Sequence, residues 1–154
     1  MADTEPARRR AVAGEAWSDV EKSAMREAAR ERKRSTKLSP EEERAAGEAE
    51  VQAKIAEMPG PERDMAQRLH AMVAVTAPNL VPRTYYGMPA WAKDGKVICF
   101  FQPASKFKVR YSTFGFQPDA RLDDGTMWPA AFALLGLSDA DEATLADLVR
   151  RAAG

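Results

Sequence analysis

The stretch from Arg83 to Phe101, RTYYGMPAWAKDGKVICFF, decides the fold, because its apolar residues recur with the period of a strand and not that of a helix. It predicts a short strand, a turn at Gly87-Met88-Pro89 and a second strand. The Asp94-Gly95 pair then predicts a hairpin turn. Lys96–Phe101 is apolar on both faces, which indicates a central strand covered on both sides.

The segments on either side complete the predicted layout. Downstream, Lys106–Tyr111 alternates strictly and predicts a strand, followed by a short helix around Trp128–Leu135 and a last helix that Ser138 caps. Upstream, Ser18, Ser39 and Gly60-Pro61 mark the starts of three helices. This order predicts an α+β fold, in which a small antiparallel sheet of three to four strands packs against helices and carries an N-terminal helical extension.

The apolar residues also suggest where one unit ends and the next begins. Residues 1–16 hold almost no bulky apolar side chain and are expected to form a disordered tail. Residues 17–38 are interpreted as a helical extension with a thin apolar stripe. Residues 39–154 would form the α+β domain.

Composition excludes several classes of protein. The 154 residues carry 23 basic and 23 acidic side chains, so a globally basic nucleic-acid binder is excluded. One Cys and one His allow no intramolecular disulfide, Cys-based zinc site or His cluster. No apolar run approaches the ~20 residues that cross a bilayer. We therefore expect a soluble, cytoplasmic protein that makes no membrane contact.

Four motifs resemble those of the YdhG-like family of small bacterial domains, over roughly residues 50–152: Tyr86-Gly-Met-Pro-Ala-Trp91, Cys99-Phe-Phe101, Lys106–Tyr111 and Gly125-Thr-Met-Trp-Pro129. One branch of that family is described as an intracellular iron chaperone with a frataxin-like role. The resemblance thus implies a non-enzymatic domain with iron as a candidate ligand. Asp124 departs from the pattern, because typical members carry Lys before the Gly-Thr pair.

Two groups of residues are candidates for a ligand site. The first consists mainly of large apolar side chains, several of which end in a polar group. They either line a ligand pocket or pack in the core: Tyr85, Tyr86, Gly87, Met88, Pro89, Trp91 and Trp128. The second is the basic face of the predicted strand, which either contacts phosphate or another anionic ligand or is a solvated edge: Lys106, Lys108 and Arg110.

Asp119, Asp123 and Asp124 are the candidate metal ligands. Carboxylate oxygens suit hard cations such as iron or Mg²⁺, although Asp123-Asp124-Gly125 is more typical of a simple turn.

No catalytic residue is assigned. Cys99 lies in the most apolar strand, and His70 is expected to be partly exposed, so a Cys–His pair is not favoured. The leading hypothesis is a non-enzymatic intracellular domain that binds iron or a small anionic ligand. A first alternative is a protein or RNA/ribosome interaction module that uses residues 17–38, where the basic run 30–37 is interleaved with Glu27 and Glu31. An enzyme is the least favoured alternative.

Overall fold

The computed structural model describes residues 18–35 and 38–154 of the chain. The described helices are α1 (Asp19–Ser35), α2 (Pro40–Ala56), α3 (Gly60–Thr76), α4 (Ala104–Phe107) and α5 (Asp139–Ala152). The described strands are β1 (Val81–Tyr85), β2 (Met88–Lys93), β3 (Lys96–Gln102), β4 (Ser112–Phe116) and β5 (Ala131–Leu134). The predicted α+β class is confirmed, with five strands where three to four were expected.

The strands form one antiparallel sheet in the order β1-β2-β3-β4-β5. Both of the first two hairpins close through a two-residue turn. In each turn the two central residues have positive φ: 51° and 75° at Tyr86 and Gly87, and 52° and 79° at Asp94 and Gly95. This backbone is that of a type I′ turn, whose twist matches that of the paired strands. The β1–β2 turn lies one residue earlier than predicted.

Local capping defines the helix starts, as the sequence predicted. The hydroxyl oxygens of Ser18 and Ser39 accept hydrogen bonds from the amides of Glu21 and Glu42, at 3.2 and 3.3 Å. Ser138 and Asp141 form a reciprocal capping box at the start of α5. None of the described helices is long and apolar enough to cross a membrane.

The core lies between one face of the sheet and three helices, α2, α3 and α5. It contains side chains that are almost fully buried: Val51, Ile55, Leu69, Val73, Trp91, Phe101, Phe114, Leu145 and Val149. On the other face of the sheet, Tyr85 and Phe100 are half-buried and lie with ring centroids 6.0 Å apart. β3 is central, as predicted, but this second face is covered only in part.

Two predicted elements are wrong. The alternating segment Lys106–Tyr111 is not a strand, because Glu62 accepts hydrogen bonds from the amide and hydroxyl of Ser105 and holds residues 104–107 in a helical turn. Lys108 ends that turn with φ 54°.

The predicted short helix at Trp128–Leu135 is instead strand β5. Its alanines favour a helix, but pairing with β4 overrides that local preference. The predicted disordered tail, residues 1–16, lies outside the described residues, as does Trp17.

Candidate functional site

The turn between β1 and β2 directs two backbone amides toward α1. The carboxylate of Glu31 accepts both, with Oε2 at 3.2 Å from the Tyr86 nitrogen and Oε1 at 3.1 Å from the Gly87 nitrogen. Adjacent N–H groups that converge on one anion form a nest, an arrangement that recurs in phosphate sites. Glu31 is only 7% exposed, so these bonds are formed away from bulk water. We call this feature the Tyr86–Gly87 turn.

A second carboxylate of α1 lies beside the same turn, between two lysines. Glu27 Oε1 is 2.7 Å from Lys54 Nζ, and Glu27 Oε2 is 2.9 Å from Lys106 Nζ. Lys106 Nζ also donates to the carbonyl oxygen of Gly87 at 3.2 Å. Lys106 therefore links the second carboxylate to the turn. We call Lys54 and Lys106 the lysine pair.

The pKa values of Glu27 and Lys54 both shift in the direction that favours the ionised form. Burial acts to raise the pKa of Glu27, but hydrogen bonds and charge from Lys54 and Lys106 outweigh it and leave the pKa below its ordinary value of 4.5. Burial likewise acts to lower the pKa of Lys54, and the Glu27 carboxylate reverses this effect and raises the pKa. The site thus prefers an anion at the position of Glu27.

The face of α1 that packs on the domain combines apolar side chains with two carboxylates. Ala24, Glu27, Ala28 and Glu31 recur at helical spacing and share one face. Among the α1 side chains that the structure describes, Ala24, Ala28 and Glu31 are the buried ones. Val20 and Met25 are half-buried, and the carboxylates of Glu27 and Glu31 add polar contacts that also position α1.

Open clefts flank the turn on two sides. One, of about 410 Å³, is lined by Gly87 and the lysine pair, together with Glu57 and Ser105. The other, of about 290 Å³, lies against Tyr85, Tyr86 and two cations, Arg83 and Lys96. A small molecule thus has room beside the turn while α1 is in place.

The structure brings together only part of the predicted ligand set. Tyr85, Tyr86, Gly87 and Lys106 lie at the turn. Lys108 and Arg110 are exposed, and Arg110 packs over the ring of Tyr111, 5.2 Å from its centroid.

The remaining members of that set do not line the turn. Met88, Pro89 and Trp91 are buried, so the packed-core interpretation is the correct one for them. The register of β1 and β2 places Trp91 on the opposite face of the sheet from Tyr85, so their side chains do not contact each other across the β1–β2 turn. Trp128 is 40% exposed in the segment before β5.

Trp91 belongs to a polar chain that runs from the core to the surface. Its indole N–H donates to Nδ1 of His70 at 3.2 Å, and the His70 Nε2 lies 2.8 Å from the Glu48 carboxylate. His70 is 9% exposed, so the expectation that it is partly exposed is wrong. Trp91 and Glu48 contact the imidazole from two sides and satisfy both of its ring nitrogens.

The three candidate metal ligands lie on the surface. Asp119 is 3.8 Å from Lys96, and both Asp123 and Asp124 are exposed. Within residues 18–35 and 38–154, no three His, Cys, Asp or Glu side chains are grouped so that they could hold a metal ion. Cys99 is fully buried, and burial raises the pKa of its thiol, which agrees with an inert core residue.

Glu27, Glu31 and Lys54 are the site residues that the sequence analysis missed. The two glutamates were interpreted as diluting a basic helix. Their spacing in the sequence could have revealed them, because both glutamates share a helical face with Ala24 and Ala28, which are buried. Carboxylates that face only water seldom lie on the buried face of a helix.

Comparisons of the chain with protein-family models, curated proteins and solved structures give no match.

Proposed function

We propose that the chain is a non-enzymatic intracellular domain that binds a small anionic ligand at the Tyr86–Gly87 turn. One observation carries this proposal: the two amides of the turn and the lysine pair already bind carboxylates, those of Glu31 and Glu27. A site that binds a side-chain carboxylate has the donors to bind a free carboxylate or phosphate.

The surrounding charge supports the same proposal. Residues 82–112, which include the turn and Lys106, carry six basic side chains and one acidic one. A local excess of cations raises the concentration of anions at the surface and speeds their encounter. The cleft beside Gly87 and Lys106 gives a small ligand a route to these donors.

The other hypotheses from the sequence stay predictions. Among the residues that the structure describes, no specific contact favours membership of the YdhG-like family, iron binding through Asp119, Asp123 and Asp124, or contact with a protein or RNA through residues 17–38. The described part of α1 does expose Lys22 and Arg26, which face away from the docked side.

The test is a titration of the full chain with inorganic phosphate, followed through the backbone amide resonances. It is done in the Glu31→Gln variant, because this change removes the competing charge but keeps the side-chain size. We expect the Tyr86 and Gly87 amides to shift with one saturating curve. A second change, Lys106→Ala, should weaken that binding about tenfold, since it removes a charge-assisted bond.

Lys22→Ala is the matched control, because it removes an equal charge that the turn does not use. Phosphate binding in that variant should be unchanged. Shifts spread evenly over all basic surface residues, or no shift at the turn, would overturn the proposed function.

A further inference from the structure

We infer that α1 is a displaceable internal ligand of this site, and that the external ligand carries two anionic groups spaced like the carboxylates of Glu27 and Glu31. The inference rests on the proposed function. It adds the class of ligand and states that the ligand binds when α1 leaves the turn.

The site has two anion positions with different donors. The first is the pair of amides at Tyr86 and Gly87, which binds one carboxylate through both of its oxygens. The second is the lysine pair, which binds the other carboxylate at 2.7 and 2.9 Å. The positions adjoin each other, because Lys106 also donates to the carbonyl of Gly87.

The spacing of the two glutamates defines the ligand. Residues four apart on a helix have Cβ atoms about 5–6 Å apart on one face. A molecule with two carboxylates or phosphates at a similar separation can occupy both positions at once. A molecule with one anionic group can occupy only one of them and should bind less tightly.

The packing of α1 allows it to leave. Among its described side chains, Ala24, Ala28 and Glu31 are buried and Val20 and Met25 are half-buried, so the apolar surface that it buries comes from two alanines and parts of two larger side chains. Glu27 and Glu31 supply its charged contacts with the turn and the lysine pair, and an external dianion would replace those contacts. The domain core is formed by α2, α3, α5 and the sheet, and α1 contributes none of the residues of that core.

Competition between α1 and the ligand has a measurable consequence. When only a fraction of the molecules has the site open, the apparent dissociation constant rises by the inverse of that fraction. Any change that weakens α1 docking without altering the amides or the lysines should therefore tighten ligand binding. Ligand binding should in turn release α1.

The experiment uses adipate, a diacid, and hexanoate, the monoacid with the same number of carbons. Both are titrated into the full wild-type chain and into the Glu27→Gln/Glu31→Gln double variant, and hydrogen exchange of residues 19–35 is followed. Glu21→Gln is the matched control, since it removes a charge from an exposed position of the same helix.

Three results are expected. Adipate binds the wild-type chain more tightly than hexanoate, adipate speeds exchange in α1, and the double variant binds adipate at least about tenfold more tightly than the wild type. The Glu21→Gln variant binds adipate as the wild type does.

Other outcomes overturn the inference. If adipate and hexanoate bind equally, the site does not recognise a dianion. If adipate binds while α1 keeps its protection, or binds the wild type and the double variant equally, α1 is a fixed part of the fold. In these cases phosphate binding at the turn can still hold, so the proposed function survives. If neither acid binds either protein, the inference fails, and the phosphate titration of the Glu31→Gln variant decides the proposed function separately.

Discussion

The Oε1 atom of Glu31 lies 3.1 Å from the amide nitrogen of Gly87, across 56 residues of sequence. Its second oxygen accepts the amide of Tyr86, so one carboxylate satisfies both donors of a strained turn. Tyr86 has φ 51°, a conformation that residues with a large side chain seldom adopt. A helix from the start of the chain thus reaches the first hairpin of the sheet through a polar contact.

The first prediction concerns Glu31. We expect Glu31→Gln to lower the local free energy of opening of α1 by about 1–3 kcal/mol, because the charged acceptor of one buried and one partly buried amide is replaced by a neutral one. Hydrogen exchange of residues 19–33 measures this, and exchange in β3 should stay unchanged. Equal protection of α1 in both proteins would mean that the Glu31 contact does not hold the helix.

The second prediction compares two glycines in equivalent turns. Gly95→Ala should cost about 1–2 kcal/mol from its positive φ alone, since a Cβ there meets nothing. Gly87→Ala has the same backbone cost and also crowds Glu27 and Lys106. We expect Gly87→Ala to be the more destabilising in urea unfolding and to release α1. Equal costs would show that α1 does not pack on the turn.

The third prediction tests whether Trp91 is a packed core residue or lines a ligand pocket. Trp91→Ala should destabilise the domain by about 3–5 kcal/mol, because it empties a fully packed site and leaves His70 without its donor. Trp128→Ala, at an exposed position, should change stability by less than about 0.5 kcal/mol. Thermal unfolding of both variants measures the difference. A folded Trp91→Ala protein of nearly wild-type stability would favour a pocket at this position.

The fourth prediction concerns the loss of α1 docking at low pH. The pKa of Glu27 is lowered in the folded protein, so its ion pairs stabilise α1 docking at pH values above its ordinary value of 4.5. That contribution is lost as the pH falls through the lower folded-state pKa, where the carboxylate is protonated. Protection of α1 should therefore decline on acidification, and Glu27→Gln should remove that part of the decline. An identical pH profile in the variant would contradict this role of Glu27.

Much of the fold could be predicted because its signals are local. Ser39 and Ser138 cap their helices through neighbouring residues, and Asp94-Gly95 specifies its own turn. The strand predicted at Lys106–Tyr111 is wrong for the opposite reason. Its helical turn depends on Glu62, which lies 43 residues earlier and cannot be identified as a partner from the alternating pattern.

Only part of the site could be predicted, because the rest depends on contacts between residues that are distant in the sequence. The sequence pointed to Tyr86, Gly87 and Lys106, but not to the carboxylates that bind them. Whether Glu27 and Glu31 face water or a set of donors depends on where α1 docks, and that is a tertiary property. The buried position of His70 likewise depends on Trp91, which arrives from the sheet.

The most direct test of the account is the location of adipate in a crystal structure of the Glu27→Gln/Glu31→Gln protein. We predict that one carboxylate of adipate accepts the Tyr86 and Gly87 amides, that the other lies between Lys54 and Lys106, and that α1 has left the turn. Adipate bound elsewhere, with α1 still docked on the Tyr86–Gly87 turn, would contradict the account.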